Sequence, residues 1–295
     1  MEASCRLHAL CLGKRSLPMR TLVQPGPANT ERSLSLQDAL LSLDFILEPG
    51  LSLREALTLP LTAAGLQSAA VTFGGGTLAP FRYVMPGPPD SAKHVAYFSP
   101  PHAPEGETRV EKANATFGWQ QGVPGVHIHG SWIEADDSRR GGHMLADDCI
   151  VARRMPANAW GFAGLRMEAA PDEETNFTLF EPQGRSVPGT GGVLARVRPN
   201  EDISLVVEAI AARHGISNAI IRGSLGSLIG ARFTDGHAVD DHATEVLIRR
   251  GIMHNNVAKL DALVADMQGC VHQGILVRGD NPVLITFDLV LEALD

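Results

Sequence analysis

Residues 43–55 read Leu-Asp-Phe-Ile-Leu-Glu-Pro-Gly-Leu-Ser-Leu-Arg-Glu, and residues 193–205, shifted by 150 positions, read Val-Leu-Ala-Arg-Val-Arg-Pro-Asn-Glu-Asp-Ile-Ser-Leu. Both stretches open on an alternating apolar strand, Leu43, Phe45 and Leu47 in one and Val193, Ala195 and Val197 in the other. A Pro-Gly or Pro-Asn turn follows, and then a helix begins. Ser52 and Glu55 form a capping box in the first copy. In the second, Asp202 is the expected N-cap, with Ile203, Val206, Val207 and Ile210 as the buried stripe. The same shift carries Gly65 onto Gly215, Ala69 onto Ala219, Gly76 onto Gly226, Leu78 onto Leu228 and Arg82 onto Arg232. Gly65 and Gly215 stand where a left-handed helix C-cap is wanted. Pro60 predicts a kink or an early end of the first helix.

A repeat of this length means two similar domains rather than a solenoid. One helix followed by several short strands predicts an α+β fold, each domain a mostly antiparallel β-sheet with one main helix packed on it. The expected division is a flexible tail over 1–32, a first domain over 33–168, a connection over 169–190 rich in acidic residues, Pro and Gly, and a second domain over 191–295. Gly74-Gly75-Gly76 lacks the Lys-Ser/Thr of a phosphate loop and follows a helix rather than opening one, so it reads as a strand-end turn.

Chemistry concentrates at His127-Ile128-His129 and Gly141-Gly142-His143. Side chains two apart on a strand share a face, so His127 and His129 can converge, and the 14-position step to His143 leaves room for a turn that returns a third imidazole to them. Three neutral imidazoles with an open position are the donor set of a catalytic metal site rather than a closed structural one. Zinc suits it first, with iron, nickel, manganese or cobalt as further possibilities. Glu134 is a candidate general base or fourth ligand, although an odd spacing from His129 sets it on the opposite face of a regular strand. Arg139 and Arg140 adjoin the motif as candidate binders of a substrate carboxylate. Trp132 reads as core.

These elements together resemble the plants-and-prokaryotes conserved domain family (PCC, or PPC). The resemblance rests on the Pro-Gly turn into a helix, Gly74-Gly75-Gly76-Thr77-Leu78, and above all the histidine motif with its continuation Gly142-His143-Met144-Leu145. It implies a compact α+β domain that assembles as an oligomer, a dimer or trimer here, and a wider kinship of fold with acetolactate decarboxylase and a zinc ester hydrolase. In the second copy Lys259, Asp261 and Gly274 fall where His127, His129 and His143 stand. An ammonium group there repels a cation, so the second site is degenerate and that domain is expected to complete an interface.

Composition bounds the rest. The chain has 295 residues, 44% of them hydrophobic and only 5% aromatic, so aliphatic side chains build the core. Its net charge of −8 argues against a phosphate backbone as partner, and the resemblance to DNA-associated relatives is not accompanied by an Arg-Gly-Arg-Pro hook. The basic residues Arg6 to Arg20 are the one candidate contact. No membrane span or signal segment is read, and four scattered cysteines fit a reducing cytoplasm. The expectation is a metal-dependent lyase or hydrolase for a small carboxylate or carbonyl compound, with a small-molecule anion as partner. The alternatives are a DNA-associated or regulatory binding protein and a small-molecule sensor without turnover.

Overall fold

The computed structural model describes residues 20–89 and 91–294. Two mostly antiparallel sheets carry the fold, each with one helix on its outer face.

The elements used below, in chain order, begin with β1 (Ser33–Asp38), β2 (Leu41–Leu47), α1 (Leu53–Ala63), β3 (Ser68–Phe73), β4 (Thr108–Gln120), β5 (Val123–Ile133) and β6 (Arg139–Met144). There follow β7 (Met155–Phe162), β8 (Leu165–Pro171), β9 (Thr178–Gly184), β10 (Gly192–Val197) and α2 (Ile203–Arg213). The last are β11 (Ala219–Leu228), β12 (Thr244–His254), β13 (Val257–Ala265), β14 (Val271–Ile275) and β15 (Val283–Ala293). The first sheet runs β2-β7-β3-β4-β5-β6 and ends on the short strand Tyr83–Val84, with the β8–β9 hairpin beside β4. The second runs β1-β10-β15-β11-β12-β13-β14.

Local sequence explains the helices. Ser52 Oγ accepts from the Glu55 amide while the Glu55 carboxylate accepts from the Ser52 amide, closing the capping box. Asp202 caps α2 through the amides of Ser204 and Leu205. Gly65 (φ +76°) and Gly215 (φ +69°) turn the chain out of the two helices in the left-handed region, as the matched glycines required. Pro60 does not end α1: it lies in the last turn, where little helix remains to be disturbed.

Each helix packs on one face of its sheet. Leu53, Leu57 and Leu61 meet Val71, Ala115, Phe117, Ile128 and Trp132 in one core; Ile203, Val207 and Ile210 meet Val246, Leu260, Val264 and Phe287 in the other. The remaining faces meet each other, through Ala70, Phe162, Leu165 and Met167 against Leu194 and Val290. Asn114, fully buried on β4, ties the layers directly: its amide donates to the Ser224 carbonyl at 3.0 Å and the Ile248 carbonyl at 2.9 Å.

Two expected boundaries are corrected. β1, read as the start of the first domain, is the outer strand of the second sheet, with Ser33 opposite Val197. Residues 169–190, read as a connection, hold the end of β8 and all of β9. Asp172 and Glu174 are buried partners of arginines, and the half-buried Glu181 pairs with arginines too, rather than standing as solvated linker charges. Asp172 Oδ2 accepts from Arg196 and Arg198 at 2.7 Å each, and Glu181 Oε1 accepts from both as well. The expected tail is corrected in part. Residues 1–19 lie outside the described residues, and with them Arg6, Lys14 and Arg15. From Arg20 onward the chain is tied down: Gln24 donates to the Leu284 carbonyl at 2.8 Å, and Arg32 pairs bidentately with Glu174 at 2.9 Å. No helix among the described residues is long and apolar enough to cross a membrane.

Candidate metal centre

Strand register brings the three histidines together. His143 on β6 stands directly opposite His129 on β5, and directly opposed residues share a face. Alternation puts His127 on that face and sends Ile128 into the α1 core. The ring centroids of His127 and His129 are 4.5 Å apart, those of His127 and His143 5.2 Å, and those of His129 and His143 5.4 Å. One nitrogen from each lies within 4.8 Å of the other two, and no other such group of His, Cys, Asp or Glu occurs among the described residues. In a tetrahedral zinc site with bonds of about 2.0–2.1 Å, the nitrogens sit roughly 3.3 Å apart, so the spacing is of the right order.

The second sheet completes the site. Asp288 Oδ2 on β15 is 3.2 Å from His127 Nδ1, and the Val246 carbonyl on β12 is 3.1 Å from His129 Nδ1. Carbonyl and carboxylate oxygens only accept, so both Nδ1 atoms carry the proton and both Nε2 atoms present lone pairs. Those Nε2 atoms are 3.0 Å apart, and the Glu245 carboxylate lies 2.9 Å from that of His129. Lone pairs and a carboxylate at this distance need a cation among them, either a proton or a metal ion. Burial lowers the His129 value, but Glu245 outweighs it, and the value is raised. His143 is held well below the ordinary histidine range, by burial first and then by His127 and His129. It is therefore a neutral imidazole, and its buried Nδ1 has no hydrogen-bond partner. The residues fit a divalent metal.

The other expected site residues are not brought here. Glu134 accepts from the Tyr83 hydroxyl at 2.8 Å and Trp132 Nε1 at 3.4 Å, at the edge of the α1 core. Odd spacing on a regular strand set it on that far face. Arg139 pairs with Glu111 at 2.6 Å, and Arg140 donates to the Gln268 carbonyl at 3.3 Å. None of the three lines the cavity beside the histidines, whereas Glu245 does. Glu245 and Asp288 escaped sequence reading. The signal that could have found Asp288 is a lone carboxylate within the apolar run Val283 to Leu291.

No protein-family model matches the chain, and no curated protein matches it. Solved structures do. A plant- and prokaryote-conserved (PPC) protein of Pyrococcus horikoshii is 17% identical, with a TM-score of 0.38, over 48% of this chain and 91% of that one. A metal-containing protein of Archaeoglobus fulgidus is 16% identical, with a TM-score of 0.40, over 50% of this chain and 97% of that one. A protein of Bacteroides thetaiotaomicron described as a candidate DNA-binding protein is 11% identical, with a TM-score of 0.38, over 48% of this chain and 91% of that one. That description corrects the expectation that nucleic acid is an unlikely partner, which rested on net charge and on the missing Arg-Gly-Arg-Pro hook. A whole-chain charge does not report local patches. Over about half its length in each match, the chain is thus similar to solved structures that include a PPC protein, the family its histidine motif resembles.

Proposed function

We propose that this chain is a metal-dependent hydrolase of small carbonyl compounds, with His127, His129 and His143 as the metal ligands. The observation that carries the reading is the pair of Nε2 atoms 3.0 Å apart, each aimed by an acceptor on the opposite sheet, with the Glu245 carboxylate beside them. Zinc suits three imidazoles and an open position best; iron, nickel, manganese and cobalt are the other ions this donor set accepts. When bound, such an ion polarises a carbonyl and makes neighbouring water acidic near neutral pH.

The chain's own groups then have distinct tasks. Asp288 and the Val246 carbonyl hold the rings in one tautomer, a support that fixes ligand direction and basicity. Glu245, with its side chain only 9% exposed, takes a proton from water as the water oxygen bonds to the substrate carbonyl carbon. The carbonyl carbon's bond to the leaving oxygen or nitrogen breaks, and Glu245 returns the proton to that atom. Glu134, Arg139 and Arg140 have no part in this scheme.

The test is metal analysis of protein purified without a histidine tag, followed by hydrolysis of a panel of neutral esters. One equivalent of metal, lost in the His127→Ala/His129→Ala double variant together with turnover, is the expected result. Protein that neither carries nor takes up metal refutes the centre; loaded protein that hydrolyses none of the panel refutes the hydrolase.

A further inference from the structure

The cavity beside the histidines constrains what can enter. It gives the centres of water-sized molecules about 70 Å³, and it is partly open to solvent. Among the described residues its lining contains no Arg and no Lys, and its one carboxylate is Glu245. Asp288 lies immediately behind His127, adding a second negative group. The two arginines nearest in sequence are committed elsewhere, as described above.

The far walls are apolar. Tyr97 and Phe98 come from the segment between β3 and β4, Phe177 and Leu179 from the β8–β9 hairpin, and Leu284 and Ile285 from β15. The Phe98 ring stands 5.2 Å from that of His143 and 6.4 Å from that of Phe177, and Tyr97 is 5.8 Å from Phe177. Tyr97 and Phe98 remain 38% and 37% exposed, so the aromatic wall runs from the histidines to the cavity mouth. A flat ring entering here gains edge and face contacts with three others. A carboxylate entering here leaves water, meets Glu245 and finds no guanidinium or ammonium among the described residues of the lining.

We infer that, on the hydrolase reading above, the substrate is an uncharged carbonyl compound with an aryl group beside the carbonyl. Without a bound ion, the lining itself disfavours a free carboxylate. Three probes separate the terms: benzamide, the nearly isosteric anion benzoate, and acetamide, which lacks the ring. Binding to the full chain is measured by calorimetry and by NMR shift, with and without added zinc. Benzamide should bind the zinc-free chain at least about tenfold more tightly than either of the others, the order expected from one ring contact and one avoided charge conflict.

Phe98→Ala should remove the advantage over acetamide. Tyr97→Arg, at a position 38% exposed where the fold tolerates a long polar side chain, should turn the preference toward benzoate. Benzoate preferred by the unmodified chain, equal binding of benzamide and acetamide, or no benzamide binding up to its solubility overturns the inference. These readouts need no turnover. If benzamide is preferred but no ester is hydrolysed, the hydrolase reading fails and the ligand class stands. If methyl acetate is hydrolysed as well as methyl benzoate, the reverse holds.

Discussion

His127 Nδ1 and Asp288 Oδ2 meet at 3.2 Å across the two sheets, although 161 positions separate them in the chain. The contact makes the second half a working part of the first half's histidine cluster. The sequence comparison had already shown that this half lacks its own histidine pair, with Lys259 and Asp261 in the corresponding places. Its contribution is to supply acceptors from β12 and β15.

On the proposed centre Asp288 supports a ligand without being one, so its loss should weaken metal binding rather than abolish it. Asp288→Ala should lower zinc affinity about 10–100-fold, the usual cost of removing such a carboxylate, with Asp288→Asn falling between it and the unmodified chain. Competition against a chromophoric chelator measures this. An unchanged affinity would show that His127 needs no orienting partner.

Glu245 makes the opposite prediction. Glu245→Gln keeps the shape of the side chain and removes its ability to take a proton. It should retain one equivalent of metal while turnover falls on the order of 10²–10⁴-fold. Glu134→Gln, altered just past the end of β5 and away from the histidines, should leave turnover unchanged. Equal losses in the two variants would contradict the placement of the proton acceptor.

Asn114 is where the sheets are stitched. Asn114→Ala leaves the Ser224 and Ile248 carbonyls without their buried donor, which should cost roughly 2–4 kcal/mol of stability. Thermal and urea unfolding measure the loss. A change under about 0.5 kcal/mol, typical of surface substitutions, would mean that the two layers hold together without this link.

The buried cluster of Asp172, Glu181, Arg196 and Arg198 predicts a pH dependence. Burial pushes the Asp172 carboxyl up, but Arg196 beside it wins and holds the value below the ordinary carboxylate range. A depressed folded-state value stabilises the fold above the unfolded value, about pH 4, and that contribution is lost as pH falls through the folded value. The Tm difference between the unmodified chain and Asp172→Asn should therefore be flat from pH 7 to 5 and shrink below about pH 4. A difference that persists undiminished at the lowest pH would assign the effect to packing instead.

Much of this was legible residue by residue. Capping signals at Ser52, Glu55 and Asp202 placed both helices, and the matched glycines 65 and 215 marked their ends. Spacing alone put His127, His129 and His143 within reach of one point, since strand alternation and a hairpin return are local rules. What misled was charge. Asp172, Glu174 and Glu181 read as a solvated connection because nothing nearby in sequence neutralises them; their partners arrive from other elements, Arg196 from β10, Arg198 from just past it and Arg32 from just before β1. Arg139 and Arg140 misled too: Arg140 alternates to the face opposite His143, and Arg139, four positions back along the strand, reaches Glu111 instead.

The order of residues by itself determined the duplicated strand-turn-helix plan and the face on which three imidazoles lie, because both follow from periodicity and backbone conformation within short segments. Only the tertiary structure decided which groups stand opposite that face. Glu245, Val246 and Asp288 reach it because two sheets pack layer on layer, and burial in that contact, not proximity along the chain, selects the partner of each polar group.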